Sequence, residues 1–333
     1  MKRIMSGVAL AALVVTLSLT GCTKAQNAWI ADYGEAQQLA SEEGKDLLLF
    51  FSREDADGVS TQLRTSIFDT PAFVNEASKD YVLVHLDYSD SRMMSVQVGE
   101  DATEAEKKAA EEARPQLEKD IDTALRFSVD GEGMPVLLLT TAQGYVYGTI
   151  AYDASVTTPE QFLAVIDGNK ENRDKIRALV KAIDESTGVD KLNAIDELYE
   201  ATDPAYTSPL SELYGQAAEL DPNNESGKRG KYAIRNAYAI ATDSLLNGDI
   251  DTAIAAMLDP IDEGFCSDLE KQALLYEAAY FSYLIGDSEA TLKYLGQALE
   301  WAPHSEMAPD IRMNLEAYAL AQENPGITTE GIE

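Results

Sequence analysis

Three short runs, apolar at nearly every position, dominate the first half of the chain, and no β-like run follows residue 150. They are Asp46-Leu47-Leu48-Leu49-Phe50-Phe51, Tyr81-Val82-Leu83-Val84-His85-Leu86-Asp87 and Pro135-Val136-Leu137-Leu138-Leu139-Thr140. A strand that alternates apolar and polar residues keeps one face in water. A strand without that alternation has no face to give to water, so these runs call for a sheet covered by helices on both sides. Gly144 turns the chain from the third run into 145–150, its hairpin partner. Between the runs lie helical patterns at 33–43, 58–68, 71–78 and 102–125, the last with a kink expected at Pro115. A further helix follows at 159–166, with Thr158 placed to cap it and Pro159 in its first turn. The turn-forming cluster Asp167-Gly168-Asn169 closes this α/β unit, residues 29–168. From 169 to 324 the pattern is helical, and 325–333 reads as a short tail.

The chain begins with Lys2 and Arg3 and continues with an apolar stretch over 4–19. That stretch is too short for a bilayer, which takes about 20 apolar residues, and it has the layout of a secretory signal. Leu19-Thr20-Gly21-Cys22 follows where cleavage is expected, and it resembles the bacterial lipobox. The resemblance implies removal of 1–21, acylation of Cys22 (palmitate and related chains) and a short tether over 22–28. Acyl chains stabilise the membrane-bound state by about 0.8 kcal/mol per buried CH₂, so several of them hold firmly. The implied location is the cell envelope. Thr23, standing where an Asp would retain a Gram-negative lipoprotein at the inner membrane, implies the outer membrane.

A formal charge of −32 argues against nucleic acid as a partner and against anionic lipid as a docking surface. With 45% hydrophobic residues the chain is nevertheless able to bury a core. Of its two cysteines, Cys22 is consumed by the lipid and Cys266 is left alone. Cys266 has no basic neighbour in Gly264-Phe265-Cys266-Ser267-Asp268 to lower its pKa and reads as an inert thiol.

The order helix, strand, helix, strand, helix, strand, strand, helix is that of a thioredoxin fold. Trp29, Gly44-Lys45, Phe50-Phe51-Ser52 and Ile67-Phe68 resemble the secreted thioredoxin-like families, as does Phe127-Ser128-Val129 leading to Gly133-Met134-Pro135. In those families this proline is cis and faces the active-site helix, so the resemblance puts a cis-proline loop at Met134 and Pro135. The redox motif C-x-x-C falls on Asp57-Gly58-Val59-Ser60, and both cysteines are missing. A carboxylate and a hydroxyl cannot form a mixed disulfide, which argues against thiol–disulfide exchange. No catalytic residue, metal or cofactor is assigned from the sequence. Asp57 suits the positive end of a helix dipole as a cap. A hard-cation site from Glu54, Asp55 and Asp57 is the sharper alternative, though the rest of a calcium loop is missing. Ser60 as a nucleophile would need a base, and the chain has only His85 and His304. Asp87 reads as a strand-terminating turn residue. A groove at Met134 and Pro135 retains the means to hold an extended polypeptide.

In the second half, Gly248-Asp249-Ile250-Asp251-Thr252-Ala253 recurs as Gly286-Asp287-Ser288-Glu289-Ala290-Thr291. Ala278, Phe281, Gly286, Ala290, Tyr294, Ala298 and Pro303 together resemble a tetratricopeptide repeat. Weaker copies occupy 232–262 and 170–220. Repeats of this kind stack because one helix pair cannot bury its face alone. Tyr232, Tyr238, Tyr276, Tyr280, Tyr283 and Tyr294 are expected to divide between helix interfaces, which take most of them, and a concave peptide-binding face. The expected fold is thus an α/β thioredoxin-like sandwich followed by an all-α, tetratricopeptide-like domain. The expected role is a lipid-anchored, redox-inactive module that binds a protein or peptide partner. The alternatives are a carbohydrate- or metal-binding surface lipoprotein, and an enzyme with a site between the domains.

Overall fold

The computed structural model describes residues 28–323, apart from 56–57, 100 and 131–132. Cys22 and Asp57 therefore lie outside the described residues. Five strands form one mixed sheet: β1 (Trp29–Ile30), β2 (Asp46–Ser52), β3 (Tyr81–Asp87), β4 (Val136–Thr140) and β5 (Val146–Ile150), in the spatial order β1-β3-β2-β4-β5. The first three run parallel, with Leu48 opposite Leu83 and Ser52 opposite Asp87. β4 runs antiparallel to β2, with Phe51 opposite Val136, and β5 returns antiparallel along β4. This order and these directions are those of the thioredoxin fold.

The apolar runs do what their lack of alternation requires. Every residue of β2 is buried. Leu48 and Phe50 point into one apolar layer with Leu83, Leu137 and Leu139. Leu47, Leu49 and Phe51 point into the opposite layer with Val82, Val84 and Leu138. The first layer is covered by α2 (Gly58–Leu63), its continuation as a π-helical turn (Arg64–Phe68), α3 (Pro71–Ala77) and α6 (Pro159–Asp167). The second is covered by α1 (Tyr33–Glu43) and α5 (Glu104–Arg126). Helix α5 runs through Pro115 as one helix. A five-residue helix absent from the sequence reading, α4 (Asp90–Met94), follows β3.

From Lys170 onward the described chain is helical: α7 (Lys170–Glu185), α8 (Gly188–Ala201), α9 (Ser211–Glu219), α10 (Arg229–Leu246), α11 (Ile250–Glu263), α12 (Asp268–Leu284), α13 (Ser288–Trp301) and α14 (Ala308–Glu323). The recurring Gly-Asp pair marks the α10–α11 and α12–α13 turns. Gly248 and Gly286 take φ of 74° and 76°, a left-handed conformation that suits glycine. Asp249 and Asp287 then cap the next helix, accepting from the backbone N–H of Thr252 and Ala290.

The two halves share an apolar core. The layer holding Leu48 and Phe50 continues through Ile176, Leu192, Ile195 and Leu198 as far as Tyr232. A polar tie reinforces the junction. Asp46, 2% exposed at the start of β2, accepts hydrogen bonds from Tyr147 Oη at 2.9 Å and from Arg177 Nε at 3.0 Å. Burial pushes the Asp46 carboxyl up, against the pull of Arg177.

Candidate functional site

In a sheet with parallel strands, ligands gather at the carboxyl ends of those strands. Here that end is formed by Ser52, Asp87 and the start of α2. Phe51 pairs with Val136, so Pro135, one residue earlier, lies beside the end of β2. The Met134–Pro135 peptide bond is cis, and Met134 packs against the layer that holds Phe51. Gly58 is exposed at the start of α2, Val59 leans on the opposite layer, and Ser60 is fully buried.

Beneath this end sits a polar cluster that the sequence reading did not assemble. His85, on β3, stacks on Phe50 with ring centroids 5.1 Å apart, and the Trp29 ring meets it edge-on. Its Nε2 is 2.8 Å from Ser52 Oγ and 3.5 Å from Glu54 Oε1. Glu54 in turn accepts from Arg64 Nη1 at 2.9 Å, and Arg64 Nη2 donates to Asp69 at 2.9 Å. Burial, reinforced by the nearby Arg64 charge, pushes the His85 pKa down to about 4, so the imidazole is neutral at neutral pH.

A serine beside a neutral histidine invites comparison with a nucleophile and its base, but the geometry argues against it. Ser52 is fully buried. Ser52 and Glu54 both approach Nε2, and among the described residues no hydrogen bond engages Nδ1, where an orienting acid would stand. The cluster ties β2 and β3 to the π-helical turn through Ser52, His85 Nε2, Glu54 and Arg64, which answer one another.

The neighbouring carboxylates diverge. Asp55 accepts from the backbone N–H of Asp90 and Ser91, both at 2.8 Å, and these bonds hold its pKa down. Asp87 accepts from the N–H and hydroxyl of Ser89, closing the turn after β3. Arg92 donates to the Asp87 carbonyl and pairs with the buried Asp120. Among the described residues no group of three His, Cys, Asp or Glu side chains converges as a metal site. No local pattern foretold the clusters at His85 and Asp120. The one available signal was a histidine inside an otherwise apolar strand.

In the helical half the tyrosines sort cleanly. Tyr232 is fully buried, and its hydroxyl donates to Asp196 at 2.9 Å. Burial alone would raise the Asp196 pKa, but hydrogen bonds from Lys228, Lys231 and Tyr232 bring it down to about 2. Tyr276 and Tyr294 are half-buried, while Tyr238, Tyr280 and Tyr283 are exposed. Tyr276 accepts from Asn314 Nδ2 at 3.0 Å, and the Tyr283 and Tyr318 rings lie 5.2 Å apart. Cys266 is buried against the Pro260 carbonyl, and burial pushes its thiol up to about 11.

The arrangement defines a thioredoxin-like unit joined to stacked helices. A family model described as an uncharacterised protein C-terminal domain matches residues 228–324, which begin at α10. An uncharacterized protein of Treponema pallidum is 24% identical over 303 residues, covering 90% of this chain and 92% of that protein. The thioredoxin-related protein DsbJ of Chlamydia pneumoniae is 32% identical over 89 residues, covering 25% of this chain and 26% of its own length. Among solved structures, a DsbH oxidoreductase overlaps 46% of this chain and 94% of its own, with a TM-score of 0.32 and 16% identity.

Proposed function

We propose that this protein is a lipid-anchored envelope protein whose thioredoxin-like half does no thiol chemistry and whose helical half holds a protein partner. The observation that carries the reading is the fate of the two redox positions. The chain has Asp57 and Ser60 there, Ser60 is buried, and the cysteine left once Cys22 is acylated is Cys266, which lies in the other half. Thiol–disulfide exchange needs a thiolate at the first position. An oxidoreductase activity, as in the printed name of the DsbH structure, is therefore not carried over to this chain. Exposed tyrosines on stacked helices support the binding role, since rings that are half apolar and half wet suit an interface. The anchor rests on the signal and on Cys22. Metabolic labelling with an alkynyl palmitate analogue tests it, and Cys22→Ala should abolish both the label and membrane retention. An insulin-reduction assay with dithiothreitol tests the chemistry. The rate with this protein should equal the buffer rate, and a catalytic rate would overturn the reading.

A further inference from the structure

Helices α10 and α12 both pack against α11. Ala237 and Ala241 of α10 share a buried cluster with Leu274 and Ala278 of α12. Tyr238 stands on α10 next to buried Ala237, and Glu277 stands on α12 next to buried Ala278. Tyr238 is 39% exposed, and the Glu277 charge acts on its hydroxyl. One helical turn beyond Glu277 stands Tyr280, the most exposed tyrosine of α12 at 53%, since residues three apart are neighbours on a helix surface. Tyr280 also opens onto a shallow groove shared with Tyr276, Tyr283 and Tyr318.

Glu277 is unusual for its setting. Half-buried, it has no hydrogen-bond or ion-pair partner among the described residues, and desolvation pushes its pKa up. Other carboxylates withdrawn from water are answered: Asp46 by Arg177, Asp120 by Arg92, Asp196 by Lys228 and Lys231. A partly desolvated charge without a partner is costly, and a cation that reaches it relieves that cost. A tyrosine ring whose face meets the same cation adds attraction.

We propose that this face of α10 and α12 receives a lysine or arginine side chain of a partner polypeptide, with Glu277 as the counter-charge and the Tyr238 and Tyr280 rings as its walls. The charge of −32 steers basic segments toward the protein, and Glu277 selects where one of them seats. The inference deepens the scaffold role above and rests on it.

The test uses the chain from residue 23 onward and three fluorescein-labelled alanine-based nonapeptides, carrying two lysines, two glutamates or two leucines. Binding is read by fluorescence anisotropy at physiological salt, which screens diffuse attraction. The lysine peptide should bind, and Glu277→Gln and Tyr280→Ala should each weaken it about tenfold. Glu300→Gln, the same charge change on α13, should leave binding unchanged. Equal weakening by Glu300→Gln would overturn the proposal, because diffuse charge then accounts for the affinity. Absence of lysine-peptide binding would overturn it too. Binding of the glutamate or leucine peptide in its place, lost in Tyr280→Ala, would overturn the cation specificity while leaving the scaffold role standing. A dimer in sedimentation velocity that Tyr280→Ala dissolves would show that a second copy covers this face, and would equally overturn it. Glu277→Gln keeps the shape of the side chain and Tyr280→Ala trims an exposed one, and unchanged thermal melts would establish that both variants fold.

Discussion

Two regions of this protein, one in each half, treat their polar groups in opposite ways. At the carboxyl end of β2 and β3, residue types that could do chemistry are closed in on one another: Ser52 on His85, Glu54 on Arg64, Asp120 on Arg92. On α10 and α12, Tyr238 and Tyr280 are exposed, and the half-buried Glu277 has no described partner. The comparison teaches that residue type alone is a poor guide to a site. A serine and a histidine 2.8 Å apart serve packing when the serine is sealed, whereas an ordinary glutamate on a helix becomes a candidate contact when nothing answers it.

The comparison breaks first if the halves are not one cooperative body. Phe50→Ala, in the core layer that runs from the sheet to Tyr232, should cost about 3–5 kcal/mol. In a Trp301→Phe background, the Trp29 fluorescence transition and the labelling of buried Cys266 should then shift together in urea. Two separated transitions would show that the halves melt independently.

The next largest effect belongs to His85. Its pKa is about 4 in the folded state against 6.5 for the free side chain, so the unfolded chain binds more protons in between. Stability is fully present above pH 6.5 and falls as pH drops toward 4, by about 3 kcal/mol in all. Urea titrations across that window should show the loss, and His85→Gln should flatten the slope. An unchanged slope would mean that the histidine is not held neutral.

Gly230→Ala sharpens the picture of the helical half. A Cβ there would sit 2.5 Å from the Phe265 carbonyl oxygen, so α10 or the loop before α12 must shift. About 2 kcal/mol of destabilisation is expected, measurable as a lowered urea midpoint. The smallest effect is at Ser267, whose hydroxyl and Glu270 form a reciprocal cap at the start of α12. Ser267→Ala should cost about 1 kcal/mol by the same measurement.

Much of the fold was legible because it is written locally. The runs at Asp46, Tyr81 and Val136 are apolar at successive positions, and β2 and β3 are buried on both faces. Tyr33–Glu43 and the turns at Gly248 and Gly286 fell where capping chemistry puts them. What was not legible is long-range. Arg177 meets Asp46 across 131 residues, and Arg64, Glu54 and His85 meet only because β2 and β3 pair in one register. Periodicity says which face of a helix is apolar, but not which tyrosine the neighbouring helix will cover. Tyr232 and Tyr238 stand on the same helix, one fully buried and the other open.

The most direct test of the account places a photo-crosslinking phenylalanine at Tyr280 or at Met134 in the intact chain in living cells. The account predicts a discrete protein adduct from position 280, lost when Glu277→Gln is added. An adduct from position 134 with none from 280 would contradict it, and would return binding to the thioredoxin-like end.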